Sequence, residues 1–279
     1  MDTSAPTERP NSETSPAGSR SLPDGSATTT TTAPVPSSAT TSGPSSPPSS
    51  PPALISSRQP FPPGADRIEH RDRVFVTGAS DTGKSIIARA IFRSVVEEGP
   101  KLIIDPTDSE ICDVGCPTFR VAEQVDLTLP VSRFVPLDPF DLKAYDTLYG
   151  RVNRLPGPAW IWDDECRFSC PASGCPHGPG TYVTTKRKRE MGGVWCNTKP
   201  LGVFREVKGA AKHILSTLLY DDPSRDDLAG TMSVRRATLD SWFDQIEPAN
   251  GAQPYSFLYW HVRTRELQIC DPLPRELAA

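Results

Sequence analysis

The pattern of hydrophobic and polar positions changes near residue 66. After that point, short unbroken apolar runs, such as 74–76 and 102–104, alternate with longer stretches in which apolar residues recur every three or four positions. Unbroken apolar runs of this length are typical of buried parallel strands, and the longer spacing is typical of amphipathic helices. The pattern therefore predicts strands and helices that alternate along the chain.

The predicted elements point to one fold class. Strands are predicted at 74–76, 101–104, 133–137, 159–162 and 193–197, and the main helices at 86–98 and 142–154. Residues 255–262 and 267–270 flank a turn and predict a C-terminal β-hairpin, while Trp242 and Phe243 are expected to be core residues of a short amphipathic helix. The order predicts an α/β domain with a mostly parallel sheet and helices on both faces.

Residues 1–65 carry few apolar side chains. Roughly half of the 31 prolines fall before residue 64, among Ser, Thr, Ala and Gly, in runs such as 44–52. This segment cannot bury enough apolar surface to offset the entropy of ordering its backbone, so we predict a disordered tail at 1–65 and one domain at 66–279. The tail could be a tether, a docking peptide with polyproline II character, or a solvated extension.

Composition and charge narrow the class of protein. No window contains the roughly 18–20 consecutive apolar residues that cross a bilayer, and the first residues lack a basic region followed by an apolar core. We therefore expect no transmembrane segment and a soluble protein, in the cytoplasm or, if viral, in the host cytoplasm or virion. The net charge of -4 argues against nucleic-acid binding over the whole surface. It leaves room for a local basic strip.

Residues 78–85 match the pattern G-x-x-x-x-G-K-[ST] at every fixed position. They follow a predicted strand and precede a predicted helix, which is the setting of a phosphate-binding loop. Glycines let backbone N–H groups turn toward phosphate oxygens, Lys84 can reach the outer phosphates, and the Ser85 hydroxyl can ligate Mg²⁺. We predict that ATP and Mg²⁺ bind here, and the loop residues are Gly78, Ala79, Ser80, Asp81, Thr82, Gly83, Lys84 and Ser85.

Three acidic residues follow the apolar run 159–162. They should emerge at the same edge of the sheet as the phosphate-binding loop, because ligands bind at the carboxyl ends of parallel strands. Hydrolysis of a terminal phosphate needs a group that holds the metal shell and one that positions water. We predict these roles for Asp164 and Glu165. The earlier register, with Asp163 at the metal and Asp164 at the water, and simple capping of the next helix are the alternatives.

The segments that follow complete an order of motifs. Residues 184–200 contain a basic run and then an apolar strand that ends in polar residues, and 203–228 follow. With the loop and the acidic pair, this order resembles the FtsK/HerA superfamily of hexameric DNA-pumping ATPases over roughly residues 72–275. Within it, the chain is similar to the genome-packaging ATPases of tailless, membrane-containing icosahedral viruses. The resemblance implies a RecA-like P-loop NTPase fold, a homo-hexameric ring, double-stranded DNA as partner and, in packaging, capsid or portal-vertex proteins.

The resemblance also implies two further functional positions. In that family a basic residue ahead of the strand after the acidic pair can act on the ATP of the neighbouring subunit, a role that falls by position to Arg187 or Arg189. The strand at 193–197 ends in a polar sensor, which corresponds to Asn197 or Thr198. Family members often carry Thr-Gln-Arg-Pro at this point, whereas this chain has Thr-Lys-Pro at 198–200.

The basic run at 186–189 contains four consecutive basic residues. A guanidinium beside a transferring phosphate lowers the barrier by several kcal/mol. The same charges could instead contact the DNA backbone without reading sequence, or form a solvated basic face.

Four metal-binding side chains lie within twelve residues after the acidic pair: Cys166, Cys170, Cys175 and His177. Thiolate and imidazole groups in one loop can hold Zn²⁺ tetrahedrally, although the spacing is not the paired C-x-x-C of common zinc modules. The chain has seven cysteines, an odd number without an export signal, which argues against a disulfide framework. Zinc and free thiols in an irregular loop are both open at this point.

Three functions follow from these motifs. The first is an ATP-hydrolysing double-stranded DNA translocase, a viral genome-packaging motor that acts as a ring. The second is a P-loop kinase for a small molecule, with the basic run as a lid. The third is a nucleotide-dependent assembly switch with negligible turnover. We favour the first, because kinases rarely need an acidic pair at a strand end.

Overall fold

A computed structural model describes residues 68–95, 99–185 and 191–273. The predicted tail at 1–65 and the basic run at 186–189 lie outside the described residues. The nine described strands are β1 (Arg73–Thr77), β2 (Lys101–Ile104), β3 (Thr118–Phe119), β4 (Val131–Phe134), β5 (Trp160–Asp163), β6 (Gly192–Asn197), β7 (His213–Ser216), β8 (Phe257–His261) and β9 (Glu266–Cys270). The described α-helices are α1 (Lys84–Ser94), α2 (Leu142–Val152), α3 (His177–Thr185), α4 (Arg205–Gly209), α5 (Asp222–Met232) and α6 (Arg236–Ile246).

The described strands form one mixed sheet in the order β3-β4-β2-β5-β6-β1-β7-β8-β9. All pairs from β3 to β7 are parallel, and β8 and β9 add an antiparallel hairpin at one edge. The predicted fold class, a mostly parallel sheet with a C-terminal β-hairpin, is therefore confirmed. Because β2, β5, β6, β1 and β7 are consecutive neighbours, the loops that follow them converge at one edge of the sheet.

Helices cover both faces of the sheet. Side chains of β1 alternate, so that Val74 and Val76 pack with the apolar side of α1 while Phe75 faces the opposite layer. That layer is built from α2, α3, α5 and α6, and it buries the predicted core residues Trp242 and Phe243. The loop after β1 and the start of α1 are thereby held against a rigid sheet.

Some predicted boundaries move for identifiable reasons. The strand predicted at 133–137 is β4, which ends at Phe134, and Leu137 is 79% exposed. Pro136 has no N–H group to donate to a ladder, so the strand cannot continue through it. The helix α2 begins where Asp141 accepts hydrogen bonds from the N–H groups of Lys143 and Ala144, a side-chain cap at its first turn.

The lengths of the helices can be compared with the length needed to cross a membrane. Within residues 68–95, 99–185 and 191–273, the helices are too short and too polar for any of them to span a bilayer.

Candidate nucleotide-binding site

The loop 78–85 connects β1 to α1 and takes a conformation that its sequence permits. Gly83 has φ 94°, a left-handed conformation that favours glycine, and it immediately precedes the first residue of α1. A Cβ atom on Gly78 would lie 1.7 Å from Thr217 Oγ1, so only glycine fits there. Thr82 Oγ1 donates to the Ala79 carbonyl at 2.6 Å and closes the turn. The loop presents the N-terminus of α1, which is a favourable place for an anion.

Asp81, the acidic residue inside the loop, is exposed and has φ 62°. Aspartate tolerates a left-handed backbone better than most residues. It is therefore accommodated at a solvent-exposed position of the loop, among the residues that border the cavity described below.

The predicted acidic pair lies directly across from this loop. The Ser85 hydroxyl is 3.3 Å from Asp164 Oδ1, and the Lys84 ammonium is 3.0 Å from Glu165 Oε1. Glu165 has φ 51°, which is rare for a residue with a Cβ, and its side chain meets Lys84 from this unfavourable backbone conformation. The structure thus brings together all four residues predicted to carry phosphate, metal and water.

Asp163 points elsewhere, although it precedes the pair directly. It is the last residue of β5 and lies on the face that packs against α2, where it accepts hydrogen bonds from Tyr149 at 2.6 Å and Ser169 at 2.5 Å. Burial raises the pKa of Asp163 to about 7. A carboxylate engaged on the far side of the sheet does not contact the phosphate-binding loop, so the geometry favours the later register over the earlier one.

The charges at the site are strongly coupled. Burial raises the pKa of Asp164 to about 6, against the opposing effect of Lys84. Burial also acts to raise the pKa of Glu165, but Lys84 and the hydrogen bonds from Thr198 and Lys84 outweigh it, and the pKa lies below its usual value. Burial would lower the pKa of Lys84, whereas the two carboxylates raise it above its usual value. Glu165 and Lys84 therefore form an ion pair at neutral pH.

The two predicted sensor residues have different positions. The Thr198 hydroxyl donates to Glu165 Oε1, and its backbone N–H lies 3.4 Å from Oε2 of the same carboxylate. Asn197 is fully buried at the end of β6, accepts a hydrogen bond from the Arg167 N–H at 3.1 Å, and donates to the Lys199 carbonyl. Thr198 is thus the one of the two that contacts the predicted water-positioning group.

Part of the loop 78–85, the pair Asp164 and Glu165, and Thr198 line a cavity of about 530 Å³ at the carboxyl edge of the sheet. It contains six residues that the sequence analysis did not single out as site residues: Ile86, Thr107, Ser109, Ile111, Arg167 and Tyr255. Arg167 is the most notable for chemistry, since its Nε atom lies 3.6 Å from Glu165 Oε2 and its guanidinium stacks 4.9 Å from the Phe168 ring centre. The sequence feature that could have identified Arg167 as a site residue is its position two residues after the acidic pair.

One wall of the cavity is held by a buried ion pair. Arg133 on β4 makes two hydrogen bonds to Asp105, at 2.5 and 3.1 Å, and a third to the Ser109 carbonyl at 3.0 Å. Asp105 also accepts from Thr107 and from the Ser109 N–H. The loop after β2, which supplies three of the lining residues, is therefore fixed by side chains from the neighbouring strand.

The donors at the site fit magnesium. Ser85 and Asp164 offer a hydroxyl and a carboxylate oxygen on facing elements, and Mg²⁺ prefers oxygen ligands.

A second possible metal-binding cluster includes Asp164. Among the described residues, only Asp105, Cys112 and Asp164 form a group of three acidic, cysteine or histidine side chains whose ligand atoms all lie within 4.8 Å of one another. Burial raises the pKa of the Cys112 thiol far above its usual range, so this group stays protonated and is a poor ligand.

The zinc hypothesis gains no support. Cys166 and Cys170 are buried, Cys175 is partly buried, and His177 is exposed at the start of α3 with its ring 3.4 Å from Thr181 Oγ1. No three of these four place ligand atoms within 4.8 Å of one another. Burial raises the pKa of Cys166, and a hydrogen bond with Cys175 together with burial raises the pKa of Cys170, which also disfavours the thiolates that zinc needs. Free thiols are the better description.

The sheet order, the loop and the facing acidic pair define the fold of a P-loop NTPase. The genome packaging NTPase B204 from Sulfolobus turreted icosahedral virus 2, solved with ATP-gammaS, superposes with a TM-score of 0.56 at 12% identity, over 74% of this chain and 99% of that one. The DNA-packaging ATPase B204 from Sulfolobus turreted icosahedral virus has a TM-score of 0.54 at 14% identity, over 73% of this chain and 98% of that one.

A third solved structure extends the likeness beyond viral proteins. VirB4 of Thermoanaerobacter pseudethanolicus has a TM-score of 0.51 at 10% identity, over 72% of this chain and 89% of that one. No protein-family model matches the chain, and no curated protein matches it in sequence. At these identities the likeness establishes the fold. This fold agrees with the one implied by the family resemblance in the order of the motifs.

Proposed function

We propose that this chain hydrolyses ATP at the loop 78–85 and uses the energy to move double-stranded DNA as a ring of subunits. The observation that carries the proposal is the pair of contacts across one cavity, Ser85 with Asp164 at 3.3 Å and Lys84 with Glu165 at 3.0 Å. They support the proposal because a cation, a hydroxyl and two carboxylates then surround one space, and these are the groups that the transfer of a terminal phosphate needs.

Each of these residues has a separate role in the proposed hydrolysis. When the triphosphate enters, the Lys84 ammonium shifts its interaction from Glu165 toward the outer phosphates and offsets their negative charge. Glu165 is then free on one side and, still held by Thr198, accepts a hydrogen bond from the attacking water. The backbone N–H groups of 79–85 bind the phosphates and keep the terminal one in line with that water.

Ser85 and Asp164 are the residues that would hold Mg²⁺. Bound there, the ion would neutralise charge on the phosphate oxygens. The carboxylate of Asp164 must be ionised for this role, and Lys84 favours that form.

DNA binding and ring formation rest on the fold. B204 is described as a genome packaging NTPase, and it shares the described fold of this chain over nearly its whole length. We propose the same kind of partner here, held through its phosphate backbone by basic side chains, with Arg187 or Arg189 acting on the ATP of the neighbouring subunit. In a packaging role, capsid or portal-vertex proteins would be further partners.

The test is ATP hydrolysis by the full chain with and without long duplex DNA, together with its mass in solution in the presence of ATP and Mg²⁺. We expect DNA to raise turnover severalfold and ATP to favour a closed oligomer. The effect of DNA should weaken as salt rises, because phosphate contacts release counterions. A monomer whose hydrolysis ignores DNA would contradict the translocase, and a phosphorylated small molecule as product would indicate a kinase.

A further inference from the structure

Tyr255 occupies a turn position that is unfavourable for its side chain. The Ser256 N–H donates to the Gln253 carbonyl at 3.2 Å, which closes a four-residue turn with Pro254 second and Tyr255 third. Tyr255 has φ 69°. These are the features of a type II turn, whose third position usually holds glycine because a Cβ atom is strained there. A bulky aromatic at such a position points to a functional requirement.

The turn keeps the Tyr255 ring out of the core and places it on the phosphate-binding loop. Three aromatic residues that follow it on β8, Phe257, Tyr259 and Trp260, are buried, whereas Tyr255 is 57% exposed. A Cβ atom on Gly83 would lie 3.3 Å from Tyr255 Cδ1, so the ring rests against the backbone of Gly83. The absence of a side chain at Gly83 makes this close approach possible.

The cavity contains two kinds of lining. Lys84, Ser85 and Arg167 supply positive charge and hydrogen-bond donors suited to phosphates, and Asp164 and Glu165 supply the carboxylates proposed for metal and water. Gly83, Ile86 and Tyr255, at the start of α1 and on the turn before β8, supply apolar and aromatic surface. A nucleoside triphosphate has the same division, with charged phosphates at one end and a flat base at the other.

We propose that Tyr255 forms the base subsite of this cavity and stacks on the purine of the bound nucleoside triphosphate. The inference builds on the proposed function, since it assigns the base to a site whose phosphate end is the loop 78–85. Stacking on an aromatic ring tolerates different bases, so ATP and GTP should both use the subsite. In this proposal, the strained turn serves to hold the Tyr255 ring at the mouth of the cavity. A relaxed strand would place the ring elsewhere.

The experiment measures the dissociation constants of ATP and of inorganic tripolyphosphate, with Mg²⁺, by titration calorimetry on the full chain. Tyr255→Gly suits the backbone of the turn, and Tyr255→Phe keeps the ring. The matched control is Tyr220→Gly, because Tyr220 is 64% exposed and is not among the cavity residues. We expect Tyr255→Gly to weaken ATP about tenfold and to leave tripolyphosphate within about twofold. Tyr255→Phe and Tyr220→Gly should bind both as the parent chain does.

Thermal unfolding completes the test. Tyr255→Gly should unfold at the same temperature as the parent chain or above it, because glycine relieves the strain at φ 69°. Unchanged ATP binding by Tyr255→Gly would overturn the subsite, and so would an equal loss for ATP and tripolyphosphate, which would mean that Tyr255 only supports the loop. ATP binding that depends on Tyr255, in a chain that neither hydrolyses ATP nor responds to DNA, would refute the proposed function and leave the subsite standing.

Discussion

The Lys84 ammonium and the Glu165 carboxylate lie 3.0 Å apart and are both largely shielded from solvent. The first belongs to the loop after β1 and the second to the turn after β5, two strands away in the sheet. Their contact joins the phosphate-binding half of the site to the half proposed to position water. It also means that each group satisfies the other until a phosphate competes for the ammonium.

Replacing Glu165 by glutamine separates binding from hydrolysis. The amide cannot act as a base, so hydrolysis should fall by about 10²- to 10⁴-fold. ATP should nevertheless bind at least as tightly as in the parent chain, because Lys84 no longer has to leave a carboxylate and the negative charge facing the phosphates is gone. Turnover and titration calorimetry measure the two effects.

The matched control for that variant is Glu123→Gln, an exposed glutamate outside the cavity. It should leave both hydrolysis and binding unchanged. If Glu165→Gln retained most of the turnover, Glu165 would not be the water-positioning residue.

Arg167 should affect turnover more than nucleotide binding. Its guanidinium lies 3.6 Å from Glu165 Oε2, on the side of the carboxylate away from Lys84's contact with Oε1, and so helps to fix its direction. Arg167→Ala should lower kcat by about 10- to 100-fold through misplacement of Glu165, with a smaller change in KM. Arg205→Ala is the control, since Arg205 is 89% exposed and pairs with Glu206 outside the cavity. A change confined to KM would contradict this role.

Local sequence was sufficient to predict which residues meet at the centre of the candidate site. The loop 78–85 and the pair Asp164 and Glu165 follow strands whose apolar runs are unbroken, and the parallel sheet brings the ends of such strands together. Spacing alone does not decide whether Asp163 or Asp164 is the residue that holds the metal. The structure distinguishes them because alternate residues of a strand face opposite sides, and Asp163 falls on the side of Tyr149.

The parts of the site that the sequence analysis missed depend on long-range packing or on an unfavoured local conformation. Arg133 fixes the wall after β2 through a partner 28 residues away, Asp105, and nothing in the local pattern links them. The aromatic pattern predicts that Tyr255 belongs to a strand at 255–262, but β8 begins at Phe257 and Tyr255 lies in a turn. Local preference opposes an aromatic residue with positive φ, so sequence patterns do not find it.

Asp72 should make stability depend on pH in the acid range. Burial acts to raise its pKa, but hydrogen bonds from His213 and Lys212 outweigh it and hold the pKa at about 2, below the usual 3.8. A lowered folded-state pKa adds stability above about pH 4, and this is lost as pH falls through about 2. Asp72→Asn should therefore cost about 1–2 kcal/mol of unfolding free energy at pH 7 and almost nothing near pH 2.

Urea denaturation at several pH values measures this effect. Asp244→Asn, at an exposed position of α6, is the control and should be neutral throughout. A difference between Asp72→Asn and the parent chain that stayed constant down to pH 2 would show that the carboxylate charge is not its cause.

Gly78 should be intolerant of even one added methyl group. A Cβ atom there would meet Thr217 Oγ1 at 1.7 Å and Thr217 Cβ at 2.9 Å, so β1, the loop and the residue after β7 would have to separate. Gly78→Ala should lower the unfolding free energy by about 1–3 kcal/mol and weaken ATP binding, whereas Gly209→Ala, with no atom within 4 Å of its added carbon, should do neither. Adding Thr217→Gly to Gly78→Ala removes both clashing atoms and should recover part of the loss. Calorimetric unfolding and ATP titration of the three variants decide the matter, and equal behaviour of Gly78→Ala and Gly209→Ala would rule out the steric role of Thr217.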